Sequence, residues 1–158
     1  MAFAINDRDQ IAGASALPGN QTVHAFLWSR RTGMQDLGTL QGDVWSAGLA
    51  INDTGEVVGA SIDGPVATGN SRAVIWHNGR PTDLNAVVPA ETTLYALVAF
   101  GINNAGQIVG FGLDLNTFEI HGFMATPIAG NGGPAARSAT NRISLPEEAR
   151  KSLLRRLR

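Results

Sequence analysis

The chain repeats itself, and the length of the repeating unit limits which folds it can form. Three segments align without gaps: Ala4-Ile-Asn-Asp-Arg-Asp-Gln-Ile-Ala-Gly-Ala-Ser15, Ala50-Ile-Asn-Asp-Thr-Gly-Glu-Val-Val-Gly-Ala-Ser61 and Gly101-Ile-Asn-Asn-Ala-Gly-Gln-Ile-Val-Gly-Phe-Gly112. A second element follows each: His24-Ala-Phe-Leu-Trp28, Arg72-Ala-Val-Ile-Trp76 and His121-Gly-Phe-Met-Ala125. A third, Met34-Gln-Asp-Leu37 and Pro81-Thr-Asp-Leu84, follows in the first two copies. Three elements in fixed order at a period of about 48 residues identify a repeat architecture.

Each unit reads as β structure. A short apolar strand runs into Asn-Asp-x-Gly, whose residue types close tight hairpins, and a second apolar strand follows. The glycine in that second strand (Gly13, Gly59, Gly110) signals a bulge or the close approach of a neighbouring backbone. A loop of variable length precedes the His/Arg-Ala strand, and a turn ending in Gly33 or Gly79 leads to the Asp-Leu strand. This gives four strands in each of the first two units and about three in the last, with turn signals every 8–12 residues as in all-β chains. No helical period competes within residues 1–128. Antiparallel four-stranded units of this size are the blades of β-propellers. The expected fold is therefore all-β: a propeller-like array of about three blades, open or partial, spanning 3–48, 49–96 and 97–128. The 19 glycines, an excess over ordinary usage, fall largely at turns and strand positions of these units.

The combination of Ile-Asn-Asp-x-Gly-x-Val-Val-Gly-x-Ser, His24-Ala25-Phe26-Leu27-Trp28 and Asp36-Leu-Gly-Thr-Leu-Gln-Gly42 resembles the HAF repeat family of bacterial proteins, over about residues 3–128. The first copy is the most faithful. The second departs with Arg72-Ala73-Val74 and Asp83-Leu84-Asn85, and the third keeps His121-Gly122-Phe123 but loses the tryptophan and the Asp-Leu strand. The resemblance implies propeller-like β structure, an extracellular or cell-surface location and no established enzymatic activity. Asn6, Asp7, Gly13, His24, Phe26, Trp28, Asn52, Asp53, Gly55, Gly59, Trp76, Asn103, Gly106, Gly110, His121 and Phe123 carry the repeat signature and are expected to be structural. Closed propellers have four blades or more. With three, the chain is expected to be part of a longer array, to self-associate through exposed blade faces, or to be capped imperfectly.

The formal charge of −1 conceals an uneven distribution. Residues 1–128 carry five Arg and eleven Asp or Glu, whereas 129–158 carry seven Arg or Lys and two Glu. Residues 129–142 read as a Gly/Pro-rich linker. Residues 143–158 read as a short basic amphipathic α-helix, with Ser144 and Glu147 as a capping box. The helix is expected to pack on the last blade, to lie in solvent, or to offer a basic surface to an acidic partner. The acidic body argues against a nucleic-acid partner. There is no stretch of about 20 apolar residues to span a membrane, and the polar residues from position 6 onward do not make a secretory signal.

No cysteine is present, which removes disulfides, thiolate metal sites and a cysteine nucleophile. His24 and His121 hold equivalent repeat positions, and His77 sits at a turn. A shared metal site would have to draw on different blades, so structural hydrogen bonding is the expected role. Asn-Asp-x-Gly suggests calcium, but the EF-hand spacing and its bidentate Glu do not follow. Gly-x-Ser-x-Gly, P-loop and His-Glu-x-x-His motifs are absent from the sequence. Trp28 and Trp76 suit blade-to-blade packing, and Trp45, outside that register, is the expected exposed aromatic. No catalytic, cofactor or metal residue is nominated. The chain reads as a non-enzymatic scaffold or interaction module for a protein or polysaccharide surface. The alternatives are a carbohydrate-binding or polysaccharide-active propeller, and a fragment stable only by self-association.

Overall fold

The computed structural model describes residues 1–19, 22–64, 69–89 and 91–128. The expected linker (129–142) and basic helix (143–158) lie outside the described residues. Among the described residues, eleven strands form three antiparallel sheets of four, four and three strands. The first sheet contains β1 (Ala2–Ile5), β2 (Ile11–Ala16), β3 (Val23–Ser29) and β4 (Gly33–Gly38). The second contains β5 (Trp45–Ile51), β6 (Val57–Ile62), β7 (Ser71–His77) and β8 (Arg80–Asp83). The third contains β9 (Leu94–Ile102), β10 (Ile108–Asp114) and β11 (Ile120–Ala125). Each sheet is a meander in chain order. The all-β class and the strand count of each unit agree with the sequence reading. Among the described residues the third sheet ends at β11, and the positions equivalent to β4 and β8 fall beyond residue 128, outside the described residues.

The units divide elsewhere than expected. Boundaries at 48/49 and 96/97 would cut β5 and β9, which start at Trp45 and Leu94. The N-terminal halves of these strands differ between copies, so the repeat does not reveal them. Trp45 opens β5 and is half-buried rather than exposed. One turn of 3₁₀ helix, Leu84–Ala86, follows β8 and is capped by the Asp83 side chain, which accepts from the Asn85 N–H.

A bulge falls between the first two strands of every sheet: at Ala2/Ala4, at Gly48/Ala50 and opposite Val109/Gly110. The strand glycines sit beside it. A Cβ on Gly59 would collide with the Ala47 carbonyl, and one on Gly110 would meet the Val98 carbonyl and stand 2.7 Å from the Phe123 ring. The bulge drives one backbone against the next, and only glycine leaves room.

Strand alternation gives the second sheet two apolar faces. Ile51, Val57, Val74 and Trp76 pack toward the first sheet against Ala12, Ala25, Leu37 and Leu40. Val58, Ala73, Ile75 and Leu84 pack toward the third against Ala96, Ala99 and Ile108. A smaller cluster of Tyr95, Leu97 and Leu113 lies within the third sheet. The first strand of each later sheet lies against the preceding sheet, β5 on β1–β3 and β9 on β5–β7. No helix among the described residues is long and apolar enough to cross a membrane.

Candidate functional site

The Asn-Asp turns connect the first two strands of each sheet, and their local geometry follows from the asparagine side chain. Asn6 Oδ1 accepts from the N–H groups of Arg8 and Gln10, at 3.0 and 2.9 Å. Asn52 Oδ1 accepts from Glu56 N–H at 2.9 Å and from the Thr54 hydroxyl at 2.7 Å. Asn103 Oδ1 accepts from Ala105 and Gln107 N–H at 3.0 and 2.9 Å. A side chain that imitates a backbone acceptor fixes the turn. The left-handed position in each turn is taken by Gly55 (φ 85°), Gly106 (φ 74°) and, in the first copy, Asp9 (φ 57°).

The opposite end of the same amide reaches the next sheet. Asn6 Nδ2 donates to the Asn52 carbonyl at 2.8 Å, and Asn52 Nδ2 donates to the Asn103 carbonyl at 3.3 Å. Beside this line, Asp7 N–H donates to Asp53 Oδ1 at 3.0 Å and Asp53 N–H to Asn104 Oδ1 at 2.9 Å. The turns therefore form a ladder across the three sheets: its backbone N–H donors and the Asn6 and Asn52 amide donors point toward the later repeat, while Asn104 Nδ2 donates back to Asp53 Oδ2 at 2.6 Å.

The His/Arg position forms a second repeated device. His24 Nδ1 lies 3.0 Å from both oxygens of Asp36, and Arg72 pairs with the equivalent Asp83 at 3.2 Å. The third copy lacks the Asp-Leu motif in its sequence, and its His121 lies 3.6 Å from Glu119. Arg72 also holds Asp43 and the Gln41 carbonyl, both from the connection leaving the first sheet. The Asp43 side chain is fully covered and that of Arg72 is 18% exposed, so this pair is an interior one. Burial opposes the Arg72 charge, but the bond to Asp43 and the charges of Asp43 and Asp83 outweigh it and raise the guanidinium above its ordinary value. Burial, reinforced by Asp83, pushes the Tyr95 phenol well above its ordinary value.

Glu56 stands where the first and third copies have Gln10 and Gln107. Burial works against its charge, yet hydrogen bonds with Asn52, His77 and Thr54 hold its carboxyl below the ordinary value of 4.5. Asp114 is also lowered, by the N–H groups of Thr117 and Asn116 and the Thr93 hydroxyl. The three histidines stay apart, each beside a carboxylate of its own sheet. Among the described residues no three His, Asp or Glu come together in a way that could hold a metal ion.

Of the signature residues, Asn6, Asp7, Asn52, Asp53 and Asn103 meet in the ladder. Gly13, Gly59 and Gly110 sit at the bulges, and Gly55 and Gly106 in the turns. Trp76 is buried between the first two sheets, Phe123 packs on the interface of the second and third, and Phe26 and Trp28 lie on the far face of the first sheet. Further groups join the sheets: Ser61 recurs as Ser15 in the first copy, whereas Ser46 and Asn85 stand outside the repeat signature. Ser46 Oγ accepts from Ala25 N–H and donates to the Gly38 carbonyl, and Ser61 Oγ accepts from Leu40 N–H. The Asn85 amide pairs with both backbone groups of Ala96, at 2.7 and 3.0 Å. Asn85 replaces the glycine of the first copy, and that departure, with the recurrence of Ser61, was the available signal. Comparison with family models, curated proteins and solved structures gives no match to this chain.

Proposed function

We propose that the protein is a non-enzymatic repeat scaffold, of the HAF type, that presents an interaction surface outside the cell. The observation that carries this reading is the ladder: the residues that recur from unit to unit hold one sheet to the next. The ion pairs and the bulge glycines serve the same purpose, the register of the stack. We further propose that the sheets turn about a common axis as propeller blades do. Small residues on the first strands (Ala4, Ala47, Gly48, Ala50, Ala99, Gly101) support this, because inner strands must approach closely. Contacts between neighbouring sheets are also richer at their first strands than at β4 and β8.

The test is an array of bacterial and plant polysaccharides and cell-surface proteins probed with the purified full chain. Binding without turnover is expected. Release of sugar that disappears when individual acids are substituted would overturn the scaffold reading in favour of a polysaccharide-active one. X-ray scattering in solution separates sheets fanned about an axis from a straight pile.

A further inference from the structure

The two outer faces of the stack are the two halves of an interface that the chain already makes twice. Inside the chain, Ile51, Val57, Val74 and Trp76 of the second sheet are covered by the first, and Ile51 is left 8% exposed. The same repeat positions on the first sheet are Ile5, Ile11, Phe26 and Trp28; Ile5 is 65% exposed, Ile11 and Trp28 are half-buried, and Phe26 is covered within the sheet, its ring lying over Gly13. Met34 pairs with Trp28 across β3 and β4, shares that face, and is 58% exposed. At the other end, Val58 and Ile75 are covered by the third sheet at 0% and 6% exposure. Their counterparts on the outer side of the third sheet, Val109 and Met124, are cross-strand partners exposed by 41% and 66%.

The polar groups repeat the pattern. The first Asn amide and the following N–H of each turn donate to the turn of the next sheet, and the one return bond, Asn104 Nδ2 to Asp53, lies inside the chain and leaves the outward-facing groups as they are. At the third sheet the series ends in donors: Asn104 N–H and the second Nδ2 hydrogen of Asn103 have no acceptor among the described residues. At the first sheet it begins with acceptors, the Asn6 carbonyl and the Asp7 carboxylate, which occupy the positions that Asn52 and Asp53 offer inside the chain.

We propose that the outer face of the third sheet of one copy docks on the outer face of the first sheet of a second copy, head to tail. This continues the Asn-Asp ladder from Asn103 and Asn104 to Asn6 and Asp7. The proposal rests on reading the chain as a stacking scaffold and adds its partner, a second copy of itself. Such a heterologous contact closes a ring if the rotation per copy allows, or extends as a filament if it does not. Two first sheets face to face would oppose acceptor to acceptor, and two third sheets donor to donor, so the ladder favours the head-to-tail arrangement.

The experiment is sedimentation velocity on the full chain and on two variants, Ile5→Asp and Met124→Asp, with circular dichroism melting to confirm folding. Both side chains are about two-thirds exposed, so both variants should stay folded, and Met34→Asp can replace Ile5→Asp on the same face. The wild-type chain is expected to sediment as species larger than a monomer, and each variant alone as a monomer. An equimolar mixture is expected to give a species of twice the monomer mass and nothing larger, because each variant keeps one intact face. A wild-type monomer at high concentration would overturn the proposal. So would assembly lost through only one of the two variants, or cross-links showing residues 129–158 seated on the third sheet of their own chain. A monomer that still binds its surface without turnover would remove only the self-docking, whereas turnover would remove the scaffold reading whatever the assembly state.

Discussion

Asp9 is the one member of the three hairpin turns that occupies the left-handed region without being glycine. Gly55 and Gly106 fill the equivalent positions at no steric cost, while a Cβ there costs roughly 1 kcal/mol, partly recovered by Asp. Asp9→Gly should therefore raise stability by up to about 1 kcal/mol, read as a small increase in melting temperature. The turn itself was legible in the sequence, because Asn, Asp and Gly recur there. The two-sided use of Asn6 and Asn52 was not. Their Oδ1 serves the local turn, which residue type foretells, but their Nδ2 bonds a carbonyl 46 or 51 residues away, which depends on how sheets stack.

At the scale of the strand, the interior pair Arg72–Asp43 joins β7 to the connection leaving the first sheet. Arg72→Ala leaves the covered Asp43 carboxylate without its cation and should cost about 3–5 kcal/mol in chemical denaturation, as for other interior pairs broken on one side. Glu56 supplies a pH-dependent contribution. Its carboxyl is lowered in the folded state, so its stabilisation is complete above about pH 4.5 and is lost as pH falls through the lowered value. Glu56→Gln keeps an acceptor for Asn52, as Gln10 and Gln107 do, and removes that titration. The stability gap between wild type and Glu56→Gln should narrow from pH 6 toward acid, and a gap independent of pH would contradict the assignment. Strand count and order could be read from the repeat. The starts of β5 and β9 could not, since Trp45–Gly48 and Leu94–Phe100 share no residue pattern. Asp43 carries no sequence signal, because it lies in a connection whose partner, Arg72, is distant in sequence.

For the molecule as a whole, two tryptophans at one repeat position separate packing within the stack from exposure at its end. Trp76 is 1% exposed between two sheets, while Trp28 is half-buried on the outer face of the first. At low protein concentration Trp76→Ala should cost about 3–5 kcal/mol by urea unfolding, in the range of buried aromatic truncations, and Trp28→Ala distinctly less. Equal losses would mean that the first sheet has a cover of its own. The class and repeat number were legible because pattern and period are local properties. The partner each face meets was not, because both tryptophans look alike in sequence. The loops joining the second and third strands of each sheet have a further consequence. Each is fastened at its base by a backbone bond: Leu17 to Thr22, Asp63 to Asn70 and Asp114 to Glu119. The second copy carries two more residues than the others between its Ile-Asn turn and its Arg-Ala strand, yet the ladder keeps its register. The clasp uncouples chain length from stacking. Extra residues beyond Asp63 add only slowly growing closure entropy, so this rim can lengthen, diversify or accept a grafted peptide while the stack beneath keeps its spacing.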